Sequence, residues 1–280
     1  MKKNKTIFKH ITLIVCGLIL IYPFIWLVFA ALKPSKDVMT TINLLPKKIM
    51  FSNITQGWNI ITGRPFGIFI FNSFLLTIGC LVGSLIVSSL TAFAFARLDF
   101  RLKKPLFTIL IGTLLLPPVT TLIPRYIMFT KAGITDSYLP FWIPSLLGAG
   151  VGGGFFIFLM VQFMRGLPKE LDEAAKIDGC NTFQIFYKII LPLCKPVLFT
   201  VGIFAFMWNW DDFQNQLIYI TGVDKLTVPL ALRMTIDNTG IVSWGPILAI
   251  SLITLLPSII IFFSAQKYFV DGVISGGIKG

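Results

Sequence analysis

The sequence predicts an all-α integral membrane protein with about six transmembrane helices. Only 13% of its 280 residues are charged and 55% are apolar, whereas a soluble globular domain carries about 25% charged residues. The charges fall in short segments between apolar stretches, and each stretch has about the 20 residues that a helix needs to cross a bilayer. Because hydrocarbon offers the backbone no partners, each stretch must pair its own backbone groups as a helix.

The six stretches have boundaries that are good to a few residues. They cover approximately residues 11–32, 68–96, 105–126, 138–164, 196–221 and 244–269. The chain starts with lysines before the first stretch, as a cleaved signal does, but the apolar run is longer than the 7–15 residues of such a signal. We therefore expect a retained first helix. The pattern divides the chain into residues 1–66, with one helix and a long loop, and a five-helix core at residues 67–280.

The positive charges predict the orientation of the chain. The net charge is +12, but its distribution follows the membrane rule that inner loops are rich in lysine and arginine, so we expect no nucleic-acid partner. If both termini lie in the cytoplasm, fifteen of the 24 cations lie inside: Lys2, Lys3, Lys5, Lys9, Arg97, Arg101, Lys103, Lys104, Arg165, Lys169, Lys176, Lys188, Lys195, Lys267 and Lys279. Five of the other nine lie in the long first outer loop, where the rule is weaker. The prediction is a multi-pass protein of the bacterial inner membrane, in contact with lipid, with cytoplasmic termini.

Several kinds of site are excluded or disfavoured. His10 is the single histidine, so a histidine-based metal site or a Ser-His catalytic triad has no raw material. The four cysteines fall in predicted spans or in an inner loop, and not where disulfides persist. No G-x-x-x-x-G-K-[ST] sequence is present to hold a nucleotide phosphate. We expect no catalytic residue, metal or cofactor in this chain, and we do not expect it to be an enzyme.

Segment 165–196 is too polar to lie in the membrane, and it predicts two short helices. Lys169 with Glu173 and Asp172 with Lys176 are opposite charges four residues apart, which support a helix. Gly179 then fits the left-handed position that ends many helices. The opposite face of this helix is narrow and apolar: Leu171, Ala174 and Ala175. A narrow face of this kind can enter a groove of another protein.

The second short helix is predicted to start at Asn181. Gln184 follows three residues later, which is the spacing of a capping box. Its apolar stripe is expected to end near Pro192 and consists of Phe183, Phe186 and Ile190. Two short helices joined by a glycine turn form a knob outside the bilayer. The plainer alternative is an ordinary interfacial hairpin.

The same segment resembles the EAA loop of ATP-binding-cassette importer permeases. The matching residues are Glu173-Ala174-Ala175, then Gly179, Ile189 and Leu191-Pro192, in the spacing of that loop. The extended form Glu173-Ala174-Ala175-Lys176-Ile177-Asp178-Gly179 is similar to the carbohydrate-uptake branch, the maltose-type permeases. The likeness continues through Asn72-Ser73, Ala92-Phe93-Ala94-Phe95-Ala96-Arg97-Leu98, Leu116-Pro117-Pro118, and Gln266-Lys267-Tyr268-Phe269. The first 65 or so residues carry few of these motifs.

This resemblance implies a fold, partners and a mechanism. The fold is that of a type I importer permease, with the EAA loop as a cytoplasmic coupling helix. The partners are a second homologous permease, two cytoplasmic ATPase subunits that carry ATP and Mg, and an extracytoplasmic solute-binding protein. ATP hydrolysis is thus expected on a separate chain. The ATPase-coupling residues implied are Glu173, Ala174, Ala175, Asp178, Gly179, Leu191 and Pro192.

The fifth predicted span carries polar residues at membrane depth, where they are costly and usually line a pathway. Trp208, Asp211, Asp212, Asn215 and Tyr219 have the spacing of one helical face. Aromatic rings can stack on the apolar faces of a sugar, while carboxylates and amides beside them hydrogen-bond to its hydroxyl groups. The candidates for the substrate path are therefore Trp208, Asn209, Asp211, Asp212, Asn215, Gln216 and Tyr219. The alternative is a wet position near the outer surface, against the partner permease. We expect each carboxylate to be paired, either with the nearest candidates in this chain, which are the tryptophan N–H groups, Asn209 and Gln216, or with groups of the partner permease.

Three further features carry expectations. The outer loop 223–243 is apolar for a solvated connector, and by the resemblance we expect Asn238 or Thr239 to contact the binding protein. Pairs of glycines four apart favour close helix packing: Gly79 with Gly83, Gly148 with Gly152, and Gly150 with Gly154. Pro117, Pro118 and Pro124 predict a kink or hinge in the third span.

The function predicted from these observations is half of the translocation path of a binding-protein-dependent importer for a sugar or oligosaccharide. The same type of permease for glycerol phosphate or a polyamine remains open, because it shares every mechanical feature. A stand-alone secondary transporter would need inverted repeats and a coupling-ion site. Neither is visible. A structural scaffold would not explain Asp211 and Asp212 in an apolar stretch.

Overall fold

The computed structural model of this chain describes the backbone of residues 2–237 and 242–277, and the side chains of residues 6–236, 242–264 and 266. Within these residues the chain forms α-helices, two short helices of other types, and no β-strand. The first eight α-helices are α1 (Lys2–Ala31), α2 (Ser35–Val38), α3 (Ser52–Trp58), α4 (Gly67–Arg97), α5 (Lys103–Leu114), α6 (Pro118–Lys131), α7 (Leu139–Leu146) and α8 (Gly153–Gly166). The rest are α9 (Glu170–Ile177), α10 (Thr182–Gln184), a π-helix (Ile185–Ile190), α11 (Leu191–Leu193), α12 (Lys195–Trp210), α13 (Phe213–Tyr219), a 3₁₀ turn (Val223–Lys225), α14 (Val228–Asp237) and α15 (Trp244–Gly277).

The all-helical membrane fold is confirmed, but in the described residues only three of the predicted spans are single continuous helices. In the described residues, α1, α4 and α15 contain continuous apolar segments long enough to cross a bilayer. The third span is bent by 100° between α5 and α6, and the segment that ends in α12 is bent by 77° near Cys194. If each bent pair counts as one span, the chain has up to five. The fourth predicted span is divided into α7 and α8, so it is not one helix.

Local chemistry explains these breaks. Pro117 precedes α6 and Pro118 begins it, and a proline cannot continue the hydrogen-bond ladder of a preceding helix. Residues 147–152 between α7 and α8 contain three glycines, and Gly148 and Gly152 have φ values of +71° and +73°. Backbone in that left-handed region is not helical. Gly148 and Gly152 therefore shape a turn and do not lie on a helix face, although the close approach predicted for Gly152 is present, since a Cβ there would fall 2.5 Å from the Trp208 ring.

The described chain divides into two compact units, and the first comprises residues 1–70 and 230–256. In this unit Asn53 Nδ2 donates hydrogen bonds to the carbonyls of Ala31 and Lys33, both at 2.8 Å. These bonds satisfy carbonyls at the end of α1 that have no partner inside the helix. Gly57 lies so close to the Pro246 carbonyl that a Cβ atom would approach it to 2.4 Å. The close contact between Gly57 and Pro246 thus holds α3 against the start of α15.

The second unit, residues 71–229 and 257–280, holds both groups of predicted site residues. Gly79 and Gly83 of α4 confirm the close packing expected of them. A Cβ on Gly79 would fall 2.3 Å from the indole nitrogen of Trp142, and one on Gly83 would fall 3.1 Å from the Leu146 backbone nitrogen. The space lets Trp142 Nε1 donate to the Leu76 carbonyl at 3.1 Å. α7 therefore packs on the side of α4 that carries Gly79 and Gly83.

Candidate functional site

Within the EAA hairpin, defined here as residues 168–193, the predicted end of the first helix and the predicted start of the second are confirmed. Gly179 has a φ of +80°, and Cys180 N and Gly179 N donate to the carbonyls of Ala175 and Lys176. That pair of bonds is the Schellman ending of α9. Asn181 and Gln184 form both bonds of the capping box, each at 2.8 Å. The turn between the two short helices is therefore fixed by its own sequence.

The second half of the hairpin differs from the predicted stripe. Residues 185–190 form a π-helix, whose hydrogen bonds span one residue more than those of an α-helix, and this shifts which side chains face inward. Phe186 and Ile190 are buried as expected, but Phe183 is 65% exposed. Ile185 takes the inward position, with 3% exposure. The chain then continues through α11 into α12, so the hairpin is directly joined to a membrane helix.

The hairpin has one buried side and one free side. Ala175, Ile185, Phe186 and Ile190 pack into a single apolar cluster with residues of α4, α8 and α12. On the free side Glu173, Ala174, Asp178 and Gly179 are exposed, and Ile177 is 86% exposed. Ala175, one of the predicted coupling residues, thus supports the helix from beneath. Leu191 is half-buried against the same cluster, and Pro192 is exposed.

An ion pair that the sequence reading missed lies under α9. Arg97 Nη1 is 3.3 Å from Asp172 Oδ2, and the two side chains are 4% and 15% exposed. Arg97 Nη2 also donates to the carbonyls of Leu167 and Pro168, at 3.0 and 3.5 Å. Asp172 was interpreted only as a partner of Lys176 on the helix surface. The signal that was available is Arg97 itself, a cation placed at the last position of a long apolar helix.

The polar residues of the fifth span do not form one helical face, because the helix breaks among them. α12 ends at Trp210 and α13 begins at Phe213, with Asp211 and Asp212 in between. The prediction that the residues from Trp208 to Tyr219 share one face assumed an unbroken helix, and it is wrong. The break places the seven candidates in different surroundings.

Asp212 acts at the start of α13. Its Oδ1 accepts from the Asn215 backbone nitrogen at 3.1 Å, and Asn215 Nδ2 donates to both carboxylate oxygens, at 3.1 and 2.9 Å. A carboxylate in this position satisfies an N–H group that the helix leaves free. The partner of Asp212 is thus Asn215, and not Asn209, Gln216 or a tryptophan as expected.

Asn209 and Gln216 are each 1% exposed and hold the break together. Asn209 Nδ2 donates to the Ala205 carbonyl at 2.7 Å, and Gln216 Nε2 donates to the Asn209 carbonyl at 3.0 Å. The Thr227 hydroxyl donates to Gln216 Oε1. Both amides are therefore used inside the protein, and Gln216 is buried away from a passing solute.

Trp208 and Asp211 lie apart from this group. The Trp208 ring stacks on Phe156, with centroids 5.4 Å apart and planes at 19°, and lies close to Phe204 at 5.2 Å. A Cβ on Gly152 would touch the indole at 2.5 Å. Asp211 is exposed. The expected pairing of Trp208 with the carboxylates on one surface is not present.

A small cleft brings four of the seven candidates together. Asn209, Asp212, Asn215 and Tyr219 line it, together with other residues from α6, α7 and the turn before α8: Arg125, Pro140, Phe141, Pro144, Ser145, Gly150 and Val151. Its volume of about 20 Å³ has room for about one water molecule, so the cleft is closed to a sugar ring in this conformation. Arg125 was missed by sequence reasoning. The rule that singled out Asp211 and Asp212, an ionisable residue within a predicted span, would have found it.

A set of polar contacts outside the predicted spans fixes the segment that follows α13. Asp136, with a φ of +53°, accepts from the backbone nitrogens of Thr221 and Gly222 and pairs with Lys225 Nζ at 2.7 Å. The Lys225 ammonium and the Gly222 N–H hold the pKa of the Asp136 carboxyl well below its usual range. On the other side, Asn72 Nδ2 donates to the carbonyls of Asp224 and Leu226. Ser73 Oγ accepts from Val228 N at 2.8 Å.

The predicted contact with a binding protein falls on residues 238 and 239, which lie outside the described residues. The part of that loop which is described contains the 3₁₀ turn Val223–Lys225 and α14. There Leu230 is 5% exposed and Ile236 is 44% exposed. The apolar content of the loop is thus partly used by packing.

Comparison with known proteins gives one family over nearly the whole chain. Residues 5–274 match the family described as "Binding-protein-dependent transport system inner membrane component". The "Probable ABC transporter permease protein YurM" of Bacillus subtilis is 32% identical over 92% of this chain and 84% of its own length. The "sn-glycerol-3-phosphate transport system permease protein UgpE" of Yersinia pestis is 29% identical over 98% of this chain and 97% of its own.

A solved structure also resembles this chain. It is described as the "Crystal structure of a bacterial ABC transporter involved in the import of the acidic polysaccharide alginate", and the TM-score is 0.82. The match covers 95% of this chain and 97% of the other, at 22% identity. At that identity the likeness establishes the fold alone.

Proposed function

Since this chain belongs to the binding-protein-dependent transport system inner membrane components, we propose that it forms half of the translocation path of an importer for a sugar or oligosaccharide. The chain is an ABC transporter permease by its family and its relatives, and a multi-pass membrane protein.

The EAA hairpin is the observation that carries the proposal. Its free side presents Glu173, Ala174, Asp178, Gly179 and Ile177, while its buried side is part of the same core as three membrane helices. A surface that is exposed on one side and continuous with the spans on the other suits the transfer of motion. We infer that this free side docks on a cytoplasmic ATPase, which binds ATP and Mg.

The other partners follow from the family rather than from contacts in this chain. A permease of this kind supplies half of a path, so a second homologous permease supplies the other half, with a second ATPase subunit beneath it. A solute-binding protein delivers the cargo from outside. The binding protein then meets the outer ends of the spans, near loop 223–243.

The orientation places both termini and the EAA hairpin in the cytoplasm. Two exposed side chains test it. Ile177 at the hairpin is 86% exposed, and Ile42, in the loop after α2, is fully exposed. In a background without the four native cysteines, a membrane-impermeant thiol reagent added to intact cells should label Ile42→Cys and miss Ile177→Cys. Labelling of the hairpin position before lysis would overturn the orientation.

The cleft favours an uncharged cargo over an anionic one. Arg125 is its single cation among the lining residues, and Asp212 supplies one carboxylate beside the amides of Asn209 and Asn215. With one charge of each sign, the lining offers no excess of positive charge to hold a phosphate. Phe141 and Tyr219 also line the cleft, but their rings are buried and pack against each other, with centroids 5.7 Å apart. Glycerol phosphate, the cargo named for one relative, is the alternative.

Two measurements test this function. Crosslinking from Ile177→Cys should join this chain to the ATPase encoded with it, and no crosslink in an assembled complex would contradict the docking. The melting temperature of the associated binding protein should rise with an oligosaccharide. A rise with sn-glycerol 3-phosphate alone would select the alternative cargo and leave the docking intact.

A further inference from the structure

We propose that Arg97 is a positioning residue for coupling: through Asp172 it passes displacement of the EAA hairpin to α4, and α4 passes it to segment 220–228. The proposal rests on the proposed function, because it takes the hairpin to be the ATPase contact.

The contacts of Arg97 converge on the start of the hairpin. One guanidinium binds the Asp172 carboxylate within α9 and the carbonyls of Leu167 and Pro168 just before it. Arg97 is the last residue of α4. The first half of the hairpin is therefore fastened to the end of a membrane helix by directional, charge-assisted bonds.

The second half of the hairpin contacts the same helix one turn earlier. The rings of Phe93 and Phe186 are 5.2 Å apart, and Phe93 precedes Arg97 by four residues, so both lie on one face of α4. The aromatic contact alone is non-directional and allows sliding. Because the ion pair fixes one point beside it, the hairpin and the end of α4 are expected to move together.

The pair is not built for stability alone. The Arg97 and Asp172 side chains are largely buried, at 4% and 15% exposure, and within the described residues Arg97 Nε and Asp172 Oδ1 make no hydrogen bond. Buried ions lose their hydration, and apolar replacements of such pairs are often as stable as the pair itself. A buried pair with unused polar atoms on both ions is thus better explained by what it positions.

The far end of α4 shows where the displacement would go. Asn72 and Ser73 hold the backbone of residues 224, 226 and 228 by three hydrogen bonds. Ser73 and Arg97 lie on one uninterrupted helix, roughly 36 Å apart along its axis. α4 therefore joins the hairpin to segment 220–228, beside the cleft that Tyr219 lines.

The test uses the complete transporter in lipid nanodiscs, with ATP and vanadate as the probe, so that no cargo is needed. Amide hydrogen exchange is followed in residues 170–178 and 220–228. In the wild type, ATP and vanadate should change exchange in both segments. In the Arg97→Met/Asp172→Leu double variant, which removes the tie without leaving a buried lone charge, the change should persist in 170–178. In 220–228 it should shrink about threefold or more.

An exposed ion pair provides the matched control. Lys103 and Asp99 are also 3.3 Å apart and follow the same helix end, but Asp99 is fully exposed. Asp99→Asn should leave both responses at wild-type size. Wild-type responses in the double variant would overturn the role of Arg97 while leaving the proposed function standing. If 170–178 did not respond in the wild type either, the docking itself would be refuted.

Discussion

The EAA hairpin and the cleft lie in the same unit of the chain, but their local shapes arise in different ways. The hairpin takes its shape from neighbours in sequence: Gly179 ends one helix, and Asn181 with Gln184 starts the next. The cleft is assembled from α6, α7 and the α12–α13 break, and Asp212 and Gln216 serve in that break as structural ties. The difference separates a rigid surface, suited to docking, from a site whose shape depends on several spans.

The largest effect is expected at the hairpin. Glu173→Ala or Gly179→Asp should reduce uptake to background while the protein still reaches the membrane in normal amount. Aspartate at position 179 adds charge to the docking surface and strain on the order of 1 kcal/mol in the left-handed conformation. Uptake assays and membrane blots measure the two quantities.

The control for this comparison is another glycine at a helix end. A Cβ on Gly166, at the end of α8, would meet no atom within 4 Å. Gly166→Ala should therefore transport normally. Wild-type uptake in both Glu173→Ala and Gly179→Asp would remove the functional distinction between the two regions.

The next effect is expected at the break. Gln216→Leu keeps the size of the side chain but leaves the Asn209 carbonyl and the Thr227 hydroxyl without their partner. Each buried group without a partner costs about 1–3 kcal/mol, so the thermal midpoint of the purified complex should fall by several degrees. Gln214→Leu changes an exposed neighbour and should not lower it. Equal midpoints for the two variants would mean that the ties at the break are not structural.

A smaller effect is expected from the cap at Asp212. Asp212→Ala should cost about 1 kcal/mol through the lost helix start, whereas Asp212→Asn keeps an acceptor for the Asn215 nitrogen and should retain most of it. The two variants separate shape from charge. If Asp212→Asn keeps the midpoint but loses most uptake, the carboxylate charge acts in transport as well as in folding.

The smallest effect is expected at the Asp136 tie, because its pair with Lys225 is partly exposed. The pKa of Asp136 is lowered on folding, so the carboxylate stays ionised, and its contribution stays present, down to about pH 4. Below that, protonation should remove the contribution as the pH falls through the lowered pKa. Amide exchange at Thr221 and Gly222 should thus be equally protected at pH 7 and pH 4, after correction for intrinsic rates.

A substitution of Asp136 should affect the exchange protection of the same two amides at every pH. Asp136→Asn should weaken their protection by about two- to fivefold, as an exposed charge pair would. A loss of protection between pH 7 and pH 5 in the wild type would contradict the lowered pKa.

The contrast also explains which features could be predicted. The Schellman turn and the capping box depend on residues within six positions of one another, so the sequence alone predicts them. The six apolar stretches follow from composition. The break at Asp211 and Asp212 could not be predicted from periodicity, because an unbroken helix fits the same spacing. The contacts of Arg97, Arg125 and Asp136 join residues 24 to 89 positions apart. No local pattern encodes such partners.

The division between α7 and α8 has a consequence for how the chain is made. With 8 and 14 residues, the two helices are about 12 and 21 Å long, and neither spans a hydrocarbon core of about 30 Å. The turn between them depends on earlier parts of the chain, since Arg125 Nη2 donates to the Ala149 carbonyl at 3.0 Å and Trp142 is seated on α4. During synthesis this segment should therefore leave the translocation channel only after α4 and α6 are in the bilayer. Its insertion is a folding step, completed by tertiary contacts rather than by hydrophobicity.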